Sequence, residues 1–254
     1  MISKNELKLL TSYKHSKYRN EDNIFVVEGI KMTQELLASN FEIIAIYAAD
    51  DLWITENESY IRSKTIPLHE ITTTELQKIS SLTTPNKVYC VVKQNENGDV
   101  CYENQLTLVL ESIKDPGNFG TIMRLADWFG VKTILCSQDC VDVFNPKSVQ
   151  ASMGSIFRVN VIYNNLEGCL QNLPQGFPIF GTLPQNGKNI YDASLSNEGI
   201  IIIGSESFGI SKEIKAFVNQ PLTIPRFSIQ KDKPESLNAS MATAIILSEF
   251  RKRL

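Results

Sequence analysis

Along the first 95 residues the apolar positions switch between two spacings. Leu7, Leu10 and Tyr13 recur at helical spacing and predict a helix over 3–14. Phe25-Val26-Val27-Glu28 predicts a short strand, a helical pattern runs from Ile30 to Ala38, and Ile43-Ile44-Ala45-Ile46-Tyr47 predicts a second strand. Thr73 to Ile79 predicts another helix, and Val88-Tyr89-Cys90-Val91-Val92 a strand that closes the domain. This mixture predicts a small α/β sandwich. The polar stretch from Lys93 to Asp99 carries a turn signal and marks a boundary. One domain is therefore expected over 1–97 and a second over 104–254.

The second half alternates more regularly. Apolar runs fall at 106–110, 131–136, 159–163, 178–183, 200–204 and 222–225, with helical patterns between most of them and a long one over 236–253. Strands alternating with helices predict an α/β domain with a mostly parallel sheet. In the last helix Leu237, Met241, Ala244, Ile245 and Leu247 are expected to face inward. Its small residues Ala239, Ser240, Ala242 and Ala244 permit close backbone packing.

Three stretches put Gly or small polar residues between an apolar run and a helical pattern: 118–126, 204–211 and 236–240. Open α/β sheets bind ligands at such strand-to-helix turns, so the three suggest one composite site. Pro116-Gly117 sets a turn, Asn118 is expected to cap a helix, and Arg124 lies one to two turns in. Ser236 is expected to cap the last helix, while Asn238 is a poor helix former whose presence asks for a reason. No G-x-G-x-x-G occurs. The stretch Gly204 to Ser211 has the two glycines of a phosphate loop, but Ile210 stands where the Lys belongs and Glu206 would repel phosphates. Glycines there still allow close backbone approach to an uncharged or cationic ligand.

The 254 residues are 43% hydrophobic and 21% charged, ordinary for a globular protein. A net charge of −3 argues against a wholly basic nucleic-acid binder, yet residues 1–20 hold Lys4, Lys8, Lys14, Lys17 and Arg19 against Glu6 alone. No segment approaches the ~20 apolar residues of a membrane span, and the N-terminus shows no apolar leader, so a cytoplasmic protein is expected. The five cysteines show no C-x-x-C pair, which fits buried thiols in a reducing compartment and no metal site. The only histidines, His15 and His69, exclude a Ser-His or Cys-His machine within the second half.

The first stretch reads N-x-G-x-x-x-R-x-A, the second G-x-E-x-x-G-I-S, and the third S-L-N-x-S. In this order and spacing they resemble the SPOUT-class RNA 2′-O-ribose methyltransferases, the SpoU/TrmH family. Ala151 to Val159 is similar to a further family stretch, so the resemblance spans roughly residues 105–254. The first 95 residues resemble the substrate-binding domain of many members, which is similar to RNA-binding ribosomal proteins.

The resemblance implies a C-terminal domain with a deep trefoil knot, S-adenosylmethionine as cofactor, and a homodimer. It implies that Thr182, Leu183, Gly204, Gly209, Ile224 and Leu237 surround the adenosine. Asn118, Arg124, Glu206, Ser236 and Asn238 would form the catalytic group, with Asn118 and Glu206 orienting Arg124. An Arg is almost always protonated, so Arg124 is read as holding a phosphate and polarising the hydroxyl rather than as a base. Lys14, Lys17 and Arg19 are candidate RNA contacts. The additional N-terminal domain favours ribosomal RNA over transfer RNA. Two departures stand out: a longer, charged loop over 226–235, and Ser207-Phe208 where many members carry smaller or charged residues. A non-catalytic RNA-binding assembly factor on the same fold, a tRNA 2′-O-methyltransferase and a small-molecule α/β enzyme remain open alternatives.

Overall fold

A computed structural model describes residues 2–95, 98, 100–228 and 236–252. The chain divides into two compact units: residues 1–96 with 144–157, and residues 97–143 with 158–254.

The first unit is built on α1 (Lys4–Ser12), α2 (Ser16–Glu21), β1 (Ile24–Glu28), α3 (Ile30–Leu37), β2 (Ile43–Ala48), α4 (Asp51–Ser63), β3 (Leu68–Glu70), α5 (Thr73–Ile79) and β4 (Val88–Lys93). Its sheet runs β1-β4-β2-β3, antiparallel except for β2 beside β3. All five residues of β1 are buried, because both faces are covered. Ile24 and Val26 join Leu10, Leu76, Tyr89 and Val91 in one core layer. Phe25 points the other way and packs on Phe41 and Phe144, with ring centroids 5.6 and 4.8 Å away. Phe144 and the helix Pro146–Ser152 thus belong by packing with this unit, although their sequence position placed them in the second domain. Helix α5 opens with a reciprocal capping box between Thr72 and Glu75. Helix α4 was not anticipated from apolar spacing. It buries only Trp53 and Ile61, and its start is fixed by Asp50, whose carboxylate accepts the Trp53 N–H at 2.8 Å.

The second unit contains β5 (Leu106–Leu110), α6 (Pro116–Trp128), β6 (Thr133–Cys136), β7 (Asn160–Tyr163), α8 (Leu166–Gln171), β8 (Ile179–Thr182), β9 (Lys188–Asn189), β10 (Gly199–Ile203), α9 (Lys212–Lys215), β11 (Gln220–Thr223) and α10 (Ala239–Arg251), where α7 is reserved for Pro146–Ser152. The seven strands run β7-β6-β5-β10-β8-β11-β9, and every strand pair is parallel. The α/β class with a mostly parallel sheet therefore holds. Strands β5 and β10 are buried throughout, which is why they read as unbroken apolar runs.

Helix α10 packs on α6, but its core face differs from the expected one. Ala239, Ser240, Thr243, Ile246, Leu247 and Phe250 are buried. Leu237 and Met241 are 47% and 60% exposed, and Ala244 and Ile245 are half-buried. Of the residues expected inward only Leu247 is fully so. Small Ala, Ser and Thr side chains make the first turns of the buried face, and Ile246, Leu247 and Phe250 make the rest.

Candidate active site

The C-terminal ends of β5, β10, β8 and β11 lie along one edge of the parallel sheet, and their loops carry the candidate residues. After β5 the chain reaches Asp115, which caps α6 by accepting the Asn118 N–H at 2.7 Å. The cap is thus Asp115 and not Asn118. Pro116 follows at the first helical position, where its missing N–H is harmless. Asn118 sits in the first turn with its side-chain amide left for longer-range contacts.

After β10 the chain makes a tight turn. Ser205 and Gly209 exchange two backbone hydrogen bonds of 3.1 and 2.9 Å, and Phe208 donates its N–H to Ser205 Oγ at 3.1 Å. Gly204 has no room for a side chain, since a Cβ there would lie 2.2 Å from the Gly209 carbonyl carbon. Gly209 takes φ +67°, a left-handed conformation suited to glycine. Ser211 closes the turn. Its N–H donates to the buried carboxylate of Glu111 at 3.0 Å, and its hydroxyl caps α9.

Asn238, not Ser236, caps α10. Its Oδ1 accepts the N–H groups of Ser240 and Met241. Its Nδ2 donates to Asn118 Oδ1 at 3.0 Å and to Glu206 Oε1 at 3.1 Å. Asn118 Nδ2 donates to the same Glu206 oxygen at 2.5 Å, and the Ala239 N–H reaches it at 3.3 Å. Three segments separated by 88 and 32 residues thus meet on one carboxylate oxygen. Ser240, 4% exposed, adds a hydroxyl that donates to Asn238 Oδ1 at 2.6 Å. Among the described residues no hydrogen bond joins Ser236 to this cluster.

Arg124 is not part of it. Six positions along a helix turn a side chain roughly 240° and advance it about 9 Å, so Asn118 and Arg124 cannot share a face of α6. Arg124 is exposed, as is Trp128 one turn later at 83%. Among the described residues no hydrogen bond or ion pair joins Arg124 to Asn118 or Glu206, whose contacts run to each other and to Asn238.

The remaining residues line neighbouring strand ends. Thr182 donates its hydroxyl to the Ile202 carbonyl at 2.9 Å, and the Leu183 N–H reaches the Leu222 carbonyl at 2.8 Å. Ile224 follows β11 directly and is half-buried. The loop 226–235 lies largely outside the described residues, which resume at Ser236.

Several contributors carried no signal strong enough to single them out. Glu111 follows β5 directly, and its carboxylate anchors the turn that bears Glu206. Asp139 lies in the loop after β6. It accepts from Ser112 Oγ at 2.7 Å and Ser137 Oγ at 2.6 Å, and pairs with Lys114 at 2.7 Å, which stitches the segment between β5 and α6. The Lys114 ammonium, followed by the Ser137 hydroxyl, holds the Asp139 carboxyl well below the usual carboxylate range. Cys140 sits in the same place, with its sulfur accepting the Ile113 N–H at 3.3 Å. A surface recess of about 530 Å³ bordered by Lys132, Arg158 and Asn160 lies at the opposite, N-terminal ends of β6 and β7, away from the cluster.

In the first unit, Arg19 does not face solvent. It is 1% exposed, and its guanidinium donates to the Tyr13 and Lys14 carbonyls at 3.0 and 3.2 Å, so it holds α1 to α2 and is withdrawn as an RNA contact. Lys17 remains exposed near Glu21, and Lys14 reaches the Lys78 carbonyl at 2.9 Å from an exposed position.

Comparison with known proteins bears on both units. The sequence pattern of the SpoU rRNA Methylase family matches residues 105–248, and that of the MRM3-like substrate binding domain matches residues 4–90. The chain is 25% identical over 236 residues to the Bacillus subtilis 23S rRNA (guanosine(2553)-2′-O)-methyltransferase RlmP, covering 92% of this chain and 91% of that protein. It is 34% identical over 157 residues to an uncharacterised tRNA/rRNA methyltransferase of Synechocystis, 59% of this chain and 54% of that one. A solved structure from Porphyromonas gingivalis, described as an RNA methyltransferase of the TrmH family, superposes over both full chains with a TM-score of 0.87 at 34% identity. The AdoMet-bound rRNA methyltransferase of Sinorhizobium meliloti shares the fold, with a TM-score of 0.88 at 22% identity over 100% of this chain and 97% of that one.

Proposed function

From its place in the SpoU rRNA Methylase family, to which this chain belongs, we propose that it moves a methyl group from S-adenosylmethionine to a ribose 2′-hydroxyl of structured RNA. The observation that carries this reading is the convergence of Asn118, Glu206 and Asn238 on one oxygen at the ends of parallel strands. Ribosomal RNA is the proposed substrate, supported by the name of the Bacillus subtilis relative and by a substrate-binding pattern over residues 4–90. Lys14 and Lys17 are its proposed phosphate contacts there.

The strand-end loops fit the cofactor. The Gly209 and Ile210 backbone packs where a Gly204 side chain would stand, so the glycine lets the turn close tightly at the end of β10. Thr182, Leu183, Gly204, Gly209, Ile224 and Leu237 would hold the adenosine by backbone and apolar contact, without the cationic groups that a triphosphate demands. The bound sulfonium would supply an electrophilic methyl group with a good leaving group already in place. The protein's part is then chiefly placement of the ribose oxygen in line. The Asn118–Glu206–Asn238 cluster fixes three loops relative to one another, and Ser236, two residues before Asn238, is proposed to contact the ribose or the adjoining backbone. Arg124, permanently cationic, would hold the neighbouring phosphate and polarise the hydroxyl.

A homodimer completes this reading. Arg124 and Trp128 form an outward stripe on α6, and Met241, Ala244 and Ile245 one on α10. We assign both to a second copy of the chain, so that Arg124 serves the partner's cluster. The trefoil knot of the family belongs to the same proposal, as does a cytoplasmic location. No helix among the described residues is long and apolar enough to cross a membrane.

The test uses tritiated S-adenosylmethionine with ribosomal and transfer RNA transcribed in vitro, followed by mapping of the methylated ribose. Wild type should label ribosomal RNA, and Arg124→Ala and Asn118→Ala should each lose activity. Mixed together, the two variants should regain roughly a quarter of wild-type activity, because half of randomly mixed dimers hold one intact site. Absence of labelled RNA would reject the enzyme reading, and absence of complementation would reject the shared site.

A further inference from the structure

The turn after β10 holds a ring that the proposed reaction does not account for. Phe208 is 92% exposed. A single exposed apolar side chain is ordinary on a protein surface; the position of this one is not. It lies two residues from Glu206, and two residues of chain span at most about 7 Å. The turn that presents it is stitched by the paired Ser205 and Gly209 and by the bond from the Phe208 N–H to Ser205 Oγ. The ring is therefore held out at the rim of the candidate site by a built turn and not by slack chain. The exposed stripes of α6 and α10, assigned above to a second copy, lie on helices that do not include it.

We infer that Phe208 is a substrate contact that stacks on the face of an unpaired nucleobase, the base belonging to or adjoining the nucleotide whose ribose is methylated. This rests on the RNA-methyltransferase reading above. A ribose held against the cluster has its base attached one carbon away from the 2′-hydroxyl, so the base must extend several ångströms toward the rim. The turn from Gly204 to Ser211 contains no Lys or Arg, so it offers that base a π-face and no cationic edge contact. Base faces are covered inside a duplex, so the substrate would present this nucleotide in a loop, a bulge or a flipped-out conformation.

The test compares Phe208→Ala, Phe208→Leu and Phe208→Trp with wild type, using tritiated S-adenosylmethionine and the same transcribed ribosomal and transfer RNA. Removing a base-stacking ring should raise the KM for RNA roughly five- to a hundredfold. Phe208→Leu should behave like Phe208→Ala, and Phe208→Trp should restore the wild-type KM. Cofactor affinity by calorimetry and dimer mass by sedimentation should be the same for all four proteins. An unchanged KM in Phe208→Ala would overturn the inference, as would full rescue by Leu or a parallel loss of cofactor affinity or of the dimer. A wild type that labels no RNA would instead reject the function on which the inference rests.

Discussion

Replacing Glu206 by Gln keeps the shape of the side chain and removes its charge. Its Oε1 accepts three N–H groups, from Asn118 at 2.5 Å, Asn238 at 3.1 Å and Ala239 at 3.3 Å. A hydrogen bond to an ionised acceptor is worth about 1.5–3 kcal/mol and a neutral one about 0.5–1.5 kcal/mol. Neutralising the acceptor weakens each bond by about 1 kcal/mol, which gives a ceiling of ~3 kcal/mol for three. Glu206 is exposed in the protomer, where water and salt compete, so about 1–2 kcal/mol is the expected loss. Expressed in the transition state, this is roughly a 5- to 30-fold fall in methyl transfer. The informative assay is a double-mutant cycle with Asn238→Ala, reading kcat/KM for RNA methylation. If the carboxylate and the amides act as a unit, the double variant should lose less than the summed single losses by about 1 kcal/mol. Additivity within about 0.3 kcal/mol would refute the reasoning, because the two side chains would then act on separate events.

Two further outcomes follow from the packing. In Gly204→Ala the new methyl would meet backbone of Gly209 and Ile210 at 2.2–2.4 Å, so the turn must open and cofactor affinity should fall more than about tenfold by calorimetry, whereas Gly209→Ala meets nothing within 4 Å and should cost only about 1–2 kcal/mol of left-handed strain; equal affinities in the two variants would remove Gly204 from the cradle. In the first unit Glu28 is 5% exposed and accepts from the Ser80 hydroxyl and the Ser81 N–H; burial is the largest influence and raises its carboxyl pKa, against the lowering effect of those two bonds and of Lys14. The folded state therefore binds this proton more tightly than the unfolded one, and stability falls as pH rises from the unfolded value toward the folded one. Glu28→Gln lacks that ionisation, so its melting temperature should gain on wild type between pH 4 and pH 8; a constant gap across that range would show that Glu28 does not titrate differently on folding.

Buried strands were the most readable part of the fold, for a physical reason. β5 and β10 are covered on both faces, so nothing interrupts their apolar runs, and β1 and β4 show the same continuity in the first unit. Elements held mainly by polar contacts left little trace. Helix α4 rests on two buried side chains and the Asp50 cap, and the two-residue β9 is a strand only because it pairs with β11. The segment 144–157 was misplaced for a different reason. Its aromatic ends fit a second-domain pattern equally well, and only the stack of Phe144 on Phe25 and the 5.5 Å edge contact of Phe157 with Phe41 show which core they complete.

The same distinction separates the legible from the illegible in the site. Asn118, Glu206 and Asn238 are legible as candidates because each stands at a strand-to-helix turn, a location set by local pattern, and parallel strands bring such turns to one edge. What local pattern could not supply was direction. A helix of period 3.6 shows that Met241, Ala244 and Ile245 share a stripe, but not whether that stripe meets the core or the exterior. The packing decides it here: Ala239, Ser240, Thr243, Ile246, Leu247 and Phe250 take the core, and Met241 is left outside. On α6, Phe119, Ile122, Met123 and Ala126 take the core and Arg124 lies on the exposed side. On the reading proposed above, Arg124 would serve the cluster of a second copy of the chain, and Trp128 on α6 with Met241, Ala244 and Ile245 on α10 are the apolar side chains that such a copy would cover.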